Sequence, residues 1–115
     1  MEIGLVNDVL RQAPLFAGLD DDAASALHSA MHEVRLTRGQ DLFREGDAGD
    51  QLYVVIEGKL KMGHRSSDGR ENLLAVLGPG QMFGELSLFD PGRRASTVTA
   101  VTDATLLALG QEQLT

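Results

Sequence analysis

Cysteine is missing from this chain of 115 residues, and positive charge is scarce, with ten Lys and Arg against seventeen Asp and Glu. Without cysteine there is no disulfide framework, thiolate nucleophile, Cys-ligated zinc or cysteine-held iron-sulfur cluster, and thiol-based redox sensing is excluded. The formal charge of −7 argues against a direct grip on a phosphate backbone, which needs clustered cations to displace counterions. DNA, where it is a partner, is expected to be bound elsewhere in a larger protein. No apolar run approaches the roughly 20 residues of a membrane span, and the opening MEIGLVNDVL carries no cationic leader. A cytoplasmic protein without a membrane partner is the expectation. What the chain does have, 43% hydrophobic residues, is enough for the core of one compact domain.

Two helices are expected first. Ile3, Leu5, Val6, Val9 and Leu10 repeat at helical spacing until Pro14, which cannot continue a helix. In LDDDAASALHSAMHEV, Asp20 or Asp21 supplies a cap, and Ala23, Leu27, Ala30, Met31 and Val34 form an apolar stripe. From Val34 onward the period changes. Short apolar stretches (VRL, DLF, LYVVIEG, KLKMG, NLLAVL, STVTAV, TLLAL) are separated by turn formers at Arg38-Gly39, Glu45-Gly46-Asp47, Glu57-Gly58, Asp68-Gly69, Gly78-Pro79-Gly80 and Pro91-Gly92. Such punctuation predicts an all-β sandwich or barrel, with LKMGHRSSDGRENLLAVL as one hairpin whose tip lies near Ser67-Asp68-Gly69. The final GQEQLT reads as the first turn of a helix with no face to bury, so the chain is expected to be a piece of something longer.

The stretch GELSLFDPGRRAST, Gly84 to Thr97, joins features that suit an anion. Glycine lets backbone approach a ligand closely, and a short helix over LSLF would direct the amides of Glu85 and Leu86 at it. A carboxylate there would repel a phosphate unless it had another polar task. Glu85 accepts hydrogen bonds and suits a sugar hydroxyl. An arginine beyond the Pro91-Gly92 turn then offers a planar fork to phosphate oxygens. Because strand neighbours face opposite sides, only one of Arg93 and Arg94 can point into such a pocket.

GELSLFDPGRRAST resembles the phosphate-binding cassette of cyclic-nucleotide-binding domains, and REGDAGDQLYVVIEGKLKM and DGRENLLAVLGPGQMFGELSLFDPG extend the likeness over nearly the whole chain. The pattern is most similar to the sensor domain of bacterial CRP/FNR-type transcription regulators, in particular the actinobacterial cAMP-receptor branch. The resemblance implies a mainly β double-stranded β-helix, or jelly-roll barrel, with short N-terminal helices. It implies that residues 1–115 form a cAMP sensor whose dimerisation helix and DNA-binding domain are absent from this chain. cAMP is then a ligand, no cofactor is needed, a homodimer forms in the longer protein, and DNA is reached only through the missing domain.

Carried over by position, Gly84, Glu85 and Leu86, with Ser87 beside them, would give the backbone and ribose contacts. Arg94 falls on the cassette arginine, leaving Arg93 as a surface charge. Many bacterial members have Ser or Thr at the next position; here it is Ala95, so one hydroxyl contact is lost. The Arg-Ala pair resembles cAMP-selective sites of kinase regulatory subunits, where threonine would mark cGMP. Met62, Leu74 and Leu77 are the hairpin residues expected to line the base or sugar.

Plainer roles stand beside these. Glu85 would serve as a helix cap and Arg94 as a structural ion-pair partner in any fold lacking the ligand. His28 and His32, four apart on one expected helix, have no third metal ligand and do not form HExxH; with His64, a lone histidine near the hairpin, they read as surface residues. Asp20 to Asp22 suit helix capping better than calcium, since no EF-hand loop follows. The expected function is a binding module and not an enzyme. A scaffold of the same fold that binds no cyclic nucleotide is the alternative, and a small β-barrel enzyme lacks a nucleophile-base pair or metal triad.

Overall fold

The protein is described here by a computed structural model covering residues 3–84 and 92–110. Helix α1 (Ile3–Leu10) buries Val6 and Leu10, and Pro14 opens a single 3-10 turn (Pro14–Phe16) in which a missing N–H costs nothing. Helix α2 (Asp21–Ala30) starts where a cap is expected: the Ala23 N–H donates to the Asp20 carboxylate at 2.8 Å. Between the helices, Asn7 Nδ2 donates to Ser25 Oγ and His28 Nδ1 to Asn7 Oδ1, both at 3.0 Å.

Helix α2 is shorter than its apolar stripe suggests. Met31 is already extended, and His32–Leu36 is strand β1, so Val34 belongs to a sheet and His28 and His32 do not share a helix. The reason is tertiary. All five β1 residues pair with the last strand, from His32 opposite Ala108 to Leu36 opposite Ala104, and that ladder overrides a weak helical preference. On α2 itself Ala24 is the buried residue, Ala23 and Leu27 are half-buried, and Ala30 is exposed.

The remaining strands are β2 (Asp41–Phe43), β3 (Ala48–Gly49), β4 (Gln51–Glu57), β5 (Leu60–Arg65), β6 (Glu71–Leu77), β7 (Met82–Phe83), β8 (Gly92–Arg93), β9 (Thr97–Ala100) and β10 (Ala104–Gly110). Every pairing is antiparallel. One sheet has the order β1-β10-β4-β7, the second β2-β9-β5-β6, and a small ribbon joins β3 to β8. The β5-β6 hairpin spans the expected residues, with Gly69 at a φ of 86° in its tip.

Strand β4 explains how the layers fit. Leu52, Val54 and Ile56 face outward and join Leu107 and Leu109 of β10 under Val6, Leu10, Phe16 and Met31. Tyr53 and Val55 face inward and join Leu106 and Ala108 against Leu60, Leu77, Val98 and Ala100 of the second sheet. Both faces are covered, which is why LYVVI shows no polar alternation. Strand β6 lies at the edge of its sheet and exposes Leu73, Leu74 and Val76.

This layering sets a contrast in stability. Leu106→Ala, at a site with no exposure, should cost about 2–5 kcal/mol in a urea unfolding experiment. Leu73→Ala, at 57% exposure, should cost under about 0.5 kcal/mol. Equal losses would contradict the assignment of the two faces.

Candidate anion-binding site

Arg94 follows β8 directly, and its backbone is pinned in both directions: its N–H donates to the Asp47 carbonyl at 2.7 Å, and its carbonyl accepts from the Gly46 N–H at 2.8 Å. The Glu45 N–H adds a bond to Thr97 Oγ1 at 3.0 Å, so the turn before β3 and the chain after β8 are laced together. From this anchor the Arg94 side chain turns inward and is only 7% exposed. Its Nη2 donates to the Gln51 carbonyl at 2.9 Å, and its guanidinium lies 4.2 Å from the centre of the Phe43 ring and 5.6 Å from that of Tyr53. Arg93 is exposed and donates to the Gly46 carbonyl at 2.8 Å. The structure thus puts one arginine of the pair inside and the other outside.

Two glycines leave room for this guanidinium. A methyl group at Gly49 would overlap Arg94 Nε, and one at Gly84 would stand 2.8 Å from Arg94 Nη1 and 2.9 Å from the Gln51 carbonyl. Gly84 also has a φ of 78°, in the left-handed region that suits glycine. It follows β7, whose Phe83 pairs with Tyr53 of β4. Glu85, Leu86 and Ser87, with the short helix expected over LSLF, lie outside the described residues, as does the segment after Gly110.

The other candidate residues are dispersed. Ala95 is exposed. Leu77 is buried opposite Leu60 in the core between the sheets, and half-buried Met62, opposite Ala75, packs against that same core. Leu74 falls at the register shift between Met62 and Gly63 and is 56% exposed, so it does not join the other two. Sequence reasoning assigned no role to Phe43, Gly49, Gln51 or Tyr53. The available signal was the scarcity of aromatics: of four phenylalanines and one tyrosine, Phe43, Tyr53 and Phe83 cluster with centroids 5.4–6.2 Å apart beside Arg94.

A separate cavity of about 890 Å³ lies between α1, α2 and the outer face of the first sheet, on a floor of Val6, Ile56 and Leu107. Its rim is not built for an anion: Arg35 pairs with Glu33 at 3.0 Å, and Glu57 and Asp103 add negative charge. His28 bonds to Asn7 at 3.0 Å and His64 to Glu45 at 2.8 Å. Among the described residues no group of three or more acidic or histidine side chains could hold a metal ion, and no helix is long and apolar enough to cross a membrane.

Tyr53 is the chain's one tyrosine and reports on this site. Burial raises its phenol above the ordinary value, and the Arg94 charge works in the opposite direction. The folded state therefore holds the proton to higher pH than the unfolded chain. That stabilisation is complete below the unfolded tyrosine value of about 10 and is lost as pH rises through the folded value. An ultraviolet phenolate titration should give a midpoint above that of the urea-unfolded protein. A midpoint at or below it would contradict the burial of the ring.

The profile of the family described as the cyclic nucleotide-binding domain matches residues 33–115. A CRP-like cAMP-activated global transcriptional regulator of Mycobacterium tuberculosis is 43% identical over 109 residues, covering 95% of this chain and 49% of its own length. A cyclic AMP receptor protein of Thermus thermophilus is 39% identical over 90% of this chain and 48% of its own. The chain thus spans about half the length of the curated relatives it matches. Among solved structures, the N-terminal domain of a transcriptional regulator from Streptomyces coelicolor superposes with a TM-score of 0.89 at 60% identity, over 93% of this chain and 76% of that one. The regulatory domain of Toxoplasma gondii PKA, solved with cAMP, superposes with a TM-score of 0.85 at 37% identity, over 99% of this chain and 44% of that one. With its two antiparallel sheets and N-terminal helices, this chain belongs to the cyclic nucleotide-binding domain family and has its jelly-roll fold.

Proposed function

We propose that this chain is the cAMP-binding sensor of a CRP-like transcription regulator, with the cyclic phosphate held by Arg94 and by the backbone that begins at Gly84. The observation that carries this reading is the inward guanidinium of Arg94, the one charged side chain among the buried residues described, set against glycines at 49 and 84. A desolvated cation gains most from an anion brought to it, and a guanidinium fork matches two phosphate oxygens. Glu85 takes the ribose hydroxyl in this reading, with Leu86 and Ser87 as further ligand contacts. cAMP is preferred to cGMP because Ala95 follows Arg94 and because relatives named above are cAMP-activated or solved with cAMP.

The longer protein in this reading is a cytoplasmic homodimer. Its pairing helix and DNA-binding domain lie outside residues 1–115, consistent with the −7 charge here, which suits no phosphate backbone. Ligand shifts the output only insofar as it binds the two states of that longer protein unequally. The exposed Ala95, with no hydroxyl to offer, favours one second reading: a scaffold of the same fold that binds no cyclic nucleotide.

Calorimetric titration separates the two. Wild-type chain should bind cAMP more tightly than cGMP. Arg94→Ala should cost on the order of 2–5 kcal/mol of cAMP affinity, and Arg93→Ala well under about 1 kcal/mol. Equal losses would reverse the choice of arginine, and no saturable binding in wild type or in a longer chain carrying the following helix would establish the scaffold.

Glu85→Ala gives an independent check on the ribose. Its penalty should be about 1–3 kcal/mol with cAMP and should shrink with the 2′-deoxy analogue. The same penalty for both ligands would remove the hydroxyl role.

A further inference from the structure

Arg94 is held by something more than hydrogen bonds. Its guanidinium centre is 4.2 Å from the Phe43 centroid, inside the range in which the negative face of an aromatic ring attracts a cation. The ring is itself fixed. Phe43 ends β2, where it pairs with Val98 of β9, and it meets Tyr53 and Phe83 at centroid distances of 6.0 and 6.2 Å. Tyr53 and Phe83 stack at 5.4 Å across the β4-β7 pairing. Aromatic side chains make up only 4% of the chain, yet three of them form one group, and Arg94 lies over the Phe43 ring of that group. The guanidinium therefore lies between the Phe43 ring, the Gln51 carbonyl and the backbone of Gly49 and Gly84, whose missing Cβ atoms leave it room.

We infer that Phe43 is a positioning residue for anion recognition: its ring is a platform that holds the Arg94 guanidinium in its binding orientation before ligand arrives. This rests on the reading of Arg94 as the phosphate contact. A flexible arginine loses rotamer freedom when it captures an anion, and a ring that has already fixed its plane reduces that loss. The platform is also compatible with the ligand. A cation uses its faces for an aromatic ring and its edge N–H groups for oxygen atoms, so phosphate need not displace Phe43. Tyr53, at 5.6 Å, is a second and weaker support.

The test uses the whole chain and separates the platform from the nucleotide. In the ligand-free protein the Arg94 guanidinium N–H resonance, assigned by its loss in Arg94→Lys, should be shifted upfield by the Phe43 ring current. It should move downfield in Phe43→Leu and stay upfield in Phe43→Tyr. In titrations, Phe43→Leu should weaken cAMP binding between about twofold and thirtyfold. Phe43→Tyr should restore the affinity, and the loss should vanish in an Arg94→Ala background. Phe83→Leu, which alters the same aromatic group but not the ring 4.2 Å from the guanidinium, should lower thermal stability but leave affinity within about twofold of wild type. Should Phe43→Leu fail to fold, Phe43→Met removes the ring and leaves a flexible side chain that can fill the gap.

An Arg94 resonance without an upfield shift would overturn the platform whatever the ligand. Undiminished affinity in folded Phe43→Leu, or a loss of equal size in Phe83→Leu, would reduce Phe43 to a packing residue. An upfield shift that depends on Phe43 in a protein that binds no cAMP would support the platform and overturn the nucleotide reading.

Discussion

Covering β4 on both faces is the constraint on which the rest of the architecture depends. Leu52, Val54 and Ile56 need the helices, and Tyr53 and Val55 need the second sheet. Neither layer can be removed without exposing a row of large apolar side chains, at about 25 cal/mol for each Å² returned to water. The same strand carries the site. Its first residue, Gln51, gives a carbonyl to Arg94, and its third, Tyr53, belongs to the aromatic group beside the guanidinium. Strand β4 is thus a structural wall whose first residues also back the candidate anion site.

The ribbon of β3 and β8 does a different job. It has only two residue pairs, Ala48 with Arg93 and Gly49 with Gly92, too few to add much stability alone. Its value is registration. Pairing through Gly92 and Arg93 brings the backbone of Arg94 to Asp47 and Gly46, and side-chain parity then turns Arg94 inward and Arg93 out. A slip of one residue would exchange the two arginines. Gly49 resists that slip on steric grounds, since the buried Arg94 side chain fills the volume where its Cβ would stand.

Much of this is readable in the sequence where local chemistry decides it. The cap at Asp20, the stop at Pro14 and the hairpin turn at Asp68-Gly69 are set by residues within a few positions of each other. The end of α2 is not, because β1 forms on a partner 68 to 76 positions away, Ala104 to Ala108. The half-exposed position of Leu74 is equally hidden, since a register shift between Met62 and Gly63 disturbs the period of two. For the site, the cassette points to Arg94 and Gly84, but the surroundings of Arg94 come from Phe43, Gly49, Gln51 and Tyr53. The Gln51 bond spans 43 positions, and no spacing rule reaches that far.

Burying Arg94 before any ligand arrives has an energetic consequence that links fold to function. Desolvating a guanidinium opposes folding, and the Gln51 carbonyl and the Phe43 ring offset part of that cost. A domain of this size has a net stability of only about 5–15 kcal/mol, so such an opposing term is a substantial fraction of the whole. An anion that meets the guanidinium finds a side chain already held in place. In the proposed reading binding and folding are coupled at this residue, and a ligand that meets the guanidinium stabilises the folded chain in proportion to its occupancy.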